Sequence, residues 1–130
     1  MEPGFNPGLN ELLFFHTVAI QQYGGDEGVR DKGALEAAIV RPWNSFAGQE
    51  AFSTPYEKAA AICESIIQRH PFIDGNKRTG ISAGAYLLTL FGIELDATSA
   101  ELEELAVLVA EHHTDTAALA VWVEEHSVKA

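Results

Sequence analysis

His70-Pro71-Phe72-Ile73-Asp74-Gly75-Asn76-Lys77-Arg78-Thr79-Gly80 is the stretch on which the fold turns. It packs a titratable base, a carboxylate, a flexible glycine and two adjacent cations between two helical patterns. Upstream, Thr54-Pro55-Tyr56-Glu57 reads as a capping box with proline at the first helical position, so a third helix is expected from Pro55 to about Arg69. Downstream, a fourth helix is expected from Asn76 to Phe91, with Ile81, Ala85 and Leu88 toward the core and Gly92 as its C-cap. The motif is therefore the loop between the third and fourth helices, with Phe72 as its anchor in the core.

Working outward, Leu12, Leu13, Phe15, Val18 and Ala19 lie close to helical spacing within Glu11 to Tyr23 and stop at Gly24-Gly25, which gives a first helix. Ala34, Leu35, Ala38 and Ile39 predict a short second helix from Ala34 to Val40, of about two turns, ending before Pro42. Trp43, Phe46 and Phe52 suggest that the connection from Pro42 to Ser53 is tacked down by aromatics. A second capping box, Thr98 to Glu101, precedes Leu102, Leu105, Leu108 and Val109, and Asp115 can cap a last helix bearing Leu119, Trp122 and Val123. No alternating strand pattern of useful length is present, although the chain around Val29 can be locally extended. The fold class expected is all-α: a compact bundle of about six helices forming one domain over residues 1–130.

A formal charge of -11 opposes the cation-driven attraction behind non-specific nucleic-acid binding, so no direct nucleic-acid partner is expected. Of the eight basic residues, Arg69, Lys77 and Arg78 make the one compact patch, which marks the motif as an anion site on an anion-repelling surface. No apolar run approaches the roughly 18 residues of a membrane span. Met1 to Asn10 lacks the basic start of a secretory signal and is not a transit peptide. Cys63, alone and within an apolar helical stretch, reads as a buried, inert thiol. Together these point to a cytoplasmic protein without membrane contact.

The residue types of the motif suit a nucleotide. Free backbone N–H groups from about Gly75 onward, at the start of a helix, form an anion nest that the helix dipole favours. Asp74 beside it is a hard oxygen ligand suited to Mg2+ held jointly with phosphates. Asn76, Lys77 and Arg78 can bind phosphate, and the two cations can neutralise charge on a transferring group. His70 can take the proton of an incoming hydroxyl. Taken singly, each has a blander reading as helix cap, turn residue or solvated face. His70, Asp74, Lys77 and Arg78 together in one loop do not.

The motif HPFIDGNKRTG resembles the signature of Fic and Doc proteins, and the likeness runs from about Glu11 to His126 through GGDEGVRD, GALEAAIVRP, NSFAG and YEKAAAICESIIQRHPF. AMP-transferring Fic enzymes place glycine where this chain has Lys77, and a second arginine where it has Ile81; both departures favour the death-on-curing (Doc) branch of toxin-antitoxin systems. That resemblance implies a kinase that transfers the gamma-phosphate of ATP, with magnesium, to a threonine of elongation factor Tu and so halts translation. It implies His70 as base, Asp74 as metal ligand, Lys77 as the residue that sets the nucleotide's orientation, and Gly75, Asn76, Lys77 and Arg78 at the phosphates. It also implies a small antitoxin partner, Phd-like or otherwise. Self-restrained Fic proteins carry a serine or threonine four residues before a glutamate followed by glycine or asparagine; Ser99 to Glu103 comes nearest but is followed by Glu104, so no internal inhibitor is expected. The alternatives are AMP transfer in the ordinary Fic orientation and a non-catalytic co-repressor module.

Outside the motif, Glu111, His112, His113 and Asp115 read as a helix end rather than a zinc site, since adjacent histidines leave a helix on different faces. His16 and His126 read as ordinary surface or core-edge residues, Trp43 and Trp122 as core, with a second reading of Trp43 as part of a lid or docking loop, and Glu101, Glu103, Glu104 and Glu111 as a solvated face.

Overall fold

The structure, a computed structural model, describes residues 5–130, so part of the N-terminal reading above, on residues 1–4, lies outside the described residues. Among the described residues six α-helices follow in order: α1 (Leu9–Tyr23), α2 (Lys32–Val40), α3 (Pro55–Arg69), α4 (Asn76–Thr89), α5 (Ser99–Ala110) and α6 (Thr116–Glu125). A 3-10 turn, Arg41–Trp43, extends α2; three short strands lie in the connections, β1 (Ser45–Phe46), β2 (Gln49–Glu50) and β3 (Ile93–Leu95), and a fourth, β4 (Ser127–Lys129), follows α6.

The third helix is the centre of the molecule. Its residues from Lys58 to Ile67 are buried without a break, because α2, α4, α5 and α6 all pack around it. The helix starts where expected, at Pro55, with the Thr54 hydroxyl accepting the Glu57 N–H at 3.1 Å. The reciprocal half of the box is absent: the Glu57 carboxylate takes the Ser53 hydroxyl instead. Small residues on one face of α3 let α4 come close, and Gly80 and Gly84 on α4 complete the approach. A Cβ on Gly80 would lie 2.8 Å from Ile67 Cγ1 and 3.0 Å from the Cys63 carbonyl oxygen; one on Gly84 would lie 3.2 Å from the Ala59 carbonyl oxygen. The buried stripe of α4 is thus Thr79-Gly80, Ala83-Gly84 and Leu87-Leu88, while Ile81 and Ala85 are only half-buried. Burial also pushes the Cys63 thiol up to about 12, so it stays protonated and inert.

Helix ends differ from the expected ones for identifiable reasons. α1 begins at Leu9 because the Glu11 carboxylate accepts the Gly8 N–H at 2.9 Å and stabilises an earlier start. α2 begins at Lys32, and is longer than two turns, because Asp31 caps it through the Ala34 N–H at 3.0 Å. α4 ends at Thr89 rather than Phe91, with Gly92 left-handed two residues beyond the cap. The Thr98–Glu101 box and the Asp115 cap both form. The helix end read at Glu111 to Asp115 is borne out, with His112 left-handed just past α5.

The strands escaped the sequence because none is long enough to alternate. β1 and β2 form an antiparallel hairpin turning at left-handed Ala47 and Gly48, and β3 pairs antiparallel with β4. Around Val29 the chain is extended, as expected, in an isolated bridge to Phe72. The aromatic connection is fastened only in part. Trp43 stacks on Phe91 at 6.2 Å between ring centres and Phe52 lies under Arg41, but Phe46 at the hairpin is 83% exposed. The hairpin is held instead by buried Lys58, whose ammonium donates to the Glu50 carboxylate at 2.8 Å and to the Phe52 carbonyl.

Arg41 ties the bundle laterally. Its guanidinium donates to the Glu64 carboxylate at 2.8 Å, to Ser65 Oγ at 3.0 Å and to Thr116 Oγ at 3.1 Å, and the Thr116 hydroxyl in turn donates to Glu64 at 2.7 Å. The end of α2, the middle of α3 and the start of α6 are thereby joined. Arg41→Leu leaves the largely buried Glu64 carboxylate without its cation and is expected to cost about 2–4 kcal/mol, read as a fall in the urea midpoint at unchanged slope. Gly80→Val is expected to cost about 1–3 kcal/mol by overpacking the α3–α4 contact. Gly48→Asn, in open space at the hairpin turn, is expected to stay within about 0.5 kcal/mol of wild type.

Candidate functional site

The sequence from His70 to Gly75 folds into a tight loop because its backbone is held from three sides. Phe72, fully buried, anchors it in the core. Asn76, at the first turn of α4, reaches back: its Oδ1 accepts the Phe72 N–H at 3.0 Å and its Nδ2 donates to the Phe72 carbonyl at 2.9 Å. The third hold is the segment after α1. The Arg30 and Asp31 N–H groups both donate to the Pro71 carbonyl, at 2.7 and 3.0 Å, and the Ile73 N–H donates to the Gly28 carbonyl at 3.1 Å. The Arg30 guanidinium caps the end of α3, donating to the Arg69 and His70 carbonyls at 2.7 Å each. His70 sits left-handed at φ 51°, a conformation this clamp sustains.

A groove of about 980 Å³ opens along this loop, bounded by α1, the loop, the first turns of α4 and α5. His70, Asp74, Gly75, Asn76, Lys77 and Arg78 all line it. Gly75, the N-cap of α4, is left-handed at φ 79°, which turns the chain so that the helix starts facing the groove. Among the described residues the N–H groups of Gly75, Asn76, Lys77 and Arg78 have no protein acceptor; the first intrahelical bond is that of the Thr79 N–H to the Gly75 carbonyl at 3.0 Å. Apolar side chains line the groove as well, Phe15 and Val18 on α1 and Leu102 and Ala106 on α5.

Each expected site residue can now be placed. The His70 ring is exposed at the loop's entrance to the groove. Asp74 is exposed too, and its Oδ2 accepts the Asp26 N–H at 2.8 Å, which orients the carboxylate. A single oriented carboxylate beside an array of free N–H groups fits Mg2+ shared with phosphates, where water and phosphate oxygens complete the shell. Lys77 is exposed. The Arg78 guanidinium lies 3.4 Å over the Tyr23 ring and 4.0 Å from the Glu103 carboxylate, an exposed pair worth about 0–1 kcal/mol and easily exchanged for a phosphate. The amide of Asn76 is engaged on Phe72, which leaves the backbone N–H as the free donor at this position. Arg69, counted with the basic patch, is not among the groove-lining residues; Lys77 and Arg78 supply its cations.

Several residues at the site carry no mark in the sequence. Asp26 and Arg30 belong to a turn-rich segment forty or more residues before the loop they brace, and Tyr23, the last residue of α1, lies under Arg78. His16 is not a surface or core-edge residue: it is 5% exposed, stacks flat on Phe72 with ring centres 3.9 Å apart, and its Nε2 lies 2.8 Å from the Asp74 carbonyl oxygen. Its place in the buried stripe of α1, with Leu12, Ala19 and Ile20, was the available signal. Glu103, read as part of a solvated face, lines the groove with Ser99. His126 stacks on Trp122 at 3.8 Å and is not among the residues that line the groove.

No helix of the described residues is long and apolar enough to cross a membrane. Residues 6–88 match the family model described as the Fic/DOC family. The chain is 40% identical over 75 residues to a protein named Toxin Doc from Mycolicibacterium smegmatis, and that match spans 58% of each chain, less than two thirds of the relative. It is 33% identical over 97 residues, 75% of each chain, to a protein named Protein kinase doc from Escherichia phage P1. The family match covers the whole clamp, from Asn6 just ahead of α1 through the segment from Gly24 to Asp31 and the motif loop to the buried face of α4, and the chain belongs to the Fic/Doc family.

Proposed function

We propose that this chain is a Doc-type toxin kinase that transfers the gamma-phosphate of ATP to a threonine hydroxyl of a translation factor, elongation factor Tu being the first candidate. The observation that carries the reading is the convergence of His70, Asp74, Lys77, Arg78 and the free N–H groups of α4 on one groove. The names of the two relatives point the same way, and Lys77 standing where AMP-transferring relatives have glycine favours gamma- over alpha-phosphoryl chemistry.

In the step proposed, the target hydroxyl oxygen bonds to the gamma-phosphorus as the bond from that phosphorus to the beta–gamma bridging oxygen breaks. The hydroxyl proton passes to a ring nitrogen of His70, and ADP leaves with the bridging oxygen's electron pair. The N–H groups of Gly75 to Arg78 hold phosphate oxygens, and Lys77 and Arg78 offset charge gathering on the transferred group. Asp74 would hold Mg2+, whose charge would offset that of the nucleotide phosphates. Restraint is proposed to come from a small antitoxin, Phd-like or otherwise, and the site of action to be the cytoplasm.

The test is label transfer to purified elongation factor Tu from gamma- and, separately, alpha-labelled ATP with magnesium. Gamma label is expected, falling about 10²–10⁴-fold in His70→Ala and in His70→Asn, the second chosen because asparagine tolerates the left-handed backbone. Alpha label would move the assignment to nucleotidyl transfer. Absence of both, with binding of an antitoxin intact, would favour the co-repressor reading.

A further inference from the structure

The mechanism above uses the exposed face of the motif loop and leaves the buried imidazole beneath it without a role. Its geometry is specific. A carbonyl oxygen can only accept, so His16 Nε2 carries the hydrogen of the 2.8 Å contact with the Asp74 oxygen. The ring is fixed in plane by Phe72, to which it lies nearly parallel at 8°. It also abuts Gly75, where a Cβ would lie 3.5 Å from His16 Cδ2 and 3.3 Å from Ile20 Cδ1.

We propose that His16 is a positioning residue of the phosphotransfer site: by drawing the Asp74 carbonyl inward it turns the Gly75 N–H outward, toward the phosphates. The Asp74–Gly75 peptide is planar and trans, so its C=O and N–H point in opposite directions. With the oxygen held on the buried ring of α1, the hydrogen of Gly75 is directed to the groove that Gly75 lines. The same residue is held at its other end, since the Asp74 carboxylate accepts the Asp26 N–H at 2.8 Å. Backbone and side chain of Asp74 are therefore set independently, the first by α1 and the second by the segment after it. An apolar side chain at position 16 would fill the space but leave the carbonyl without a donor and the peptide free to rotate. Glutamine carries an amide N–H at a reach close to that of Nε2 and can replace the bond.

The inference rests on the phosphotransfer reading, and the full chain tests it with Mg·ADP as probe. Calorimetric affinity is compared for wild type, His16→Leu, His16→Gln and Val123→Ala, the last a core truncation on α6, away from the groove, that matches a general loss of stability. The carbonyl carbon shift of Asp74 reports the hydrogen bond itself. His16→Leu is expected to move that shift and to weaken Mg·ADP binding by about tenfold or more, the size of one well-placed hydrogen bond. His16→Gln is expected to recover most of the affinity, and Val123→Ala to keep it. Wild-type affinity in His16→Leu, or a glutamine variant no better than the leucine one, overturns the positioning role while leaving the phosphotransfer reading in place. A wild-type chain that binds no Mg·ADP overturns the phosphotransfer reading, and the positioning role falls with it.

Discussion

Gly80 and Gly84 lie so close to Cys63 and Ala59 that even a Cβ would crowd the backbone of α3, and the site depends on that contact. It brings the axes of α3 and α4 close together just after the loop that joins them. A loop closing so tight a pair must be short and internally bonded, which is what the Asn76 clamp on Phe72 accomplishes. The start of α4 is thereby aimed at the groove. Glycine would be a poor choice in an exposed helix, costing about 1 kcal/mol relative to alanine. Here the loss is offset by the burial that close packing allows along the fully covered Ala59-to-Ile67 face.

The motif loop is not self-supporting. Its polar backbone is satisfied by residues that arrive from α1 and the segment following it: Gly28, Arg30 and Asp31 on Pro71, Ile73 and the end of α3, Asp26 on the Asp74 carboxylate, His16 on the Asp74 carbonyl. This bracing leaves the outward-facing N–H groups of α4 unpaired and rigidly placed, the condition under which fixed dipoles bind anions with little reorganisation. A chain of net charge -11 thus keeps one locus suited to a polyanion. Apolar side chains from α1 and α5 in the same groove give that locus a second chemistry.

Much of the fold is legible in the sequence. Helices with strong capping residues, at Thr54, Thr98 and Asp115, begin where their side chains say. Those whose caps come from less obvious residues, Asp31 before α2 and Gly8 with Glu11 before α1, begin two residues early. The short ladders β1–β2 and β3–β4 left no periodic trace, since two or three residues cannot alternate enough to be seen.

What the sequence determined by itself was the chemistry at hand: a base, a carboxylate, a glycine turn and two cations in one loop, between helices that local capping and periodicity specify. Those are properties of neighbours in the chain, and neighbours can be read. Tertiary structure alone decided which groups brace the loop and which face the groove. Asn76 turns its amide inward, Arg69 falls outside the groove, Glu103 and Tyr23 meet Arg78, and His16 reaches Asp74 from fifty-eight residues away. The physical reason is that a helix displays several faces to different partners. Which of them is buried is settled by how α1, α3, α4 and α5 pack together, not by any one segment's own pattern.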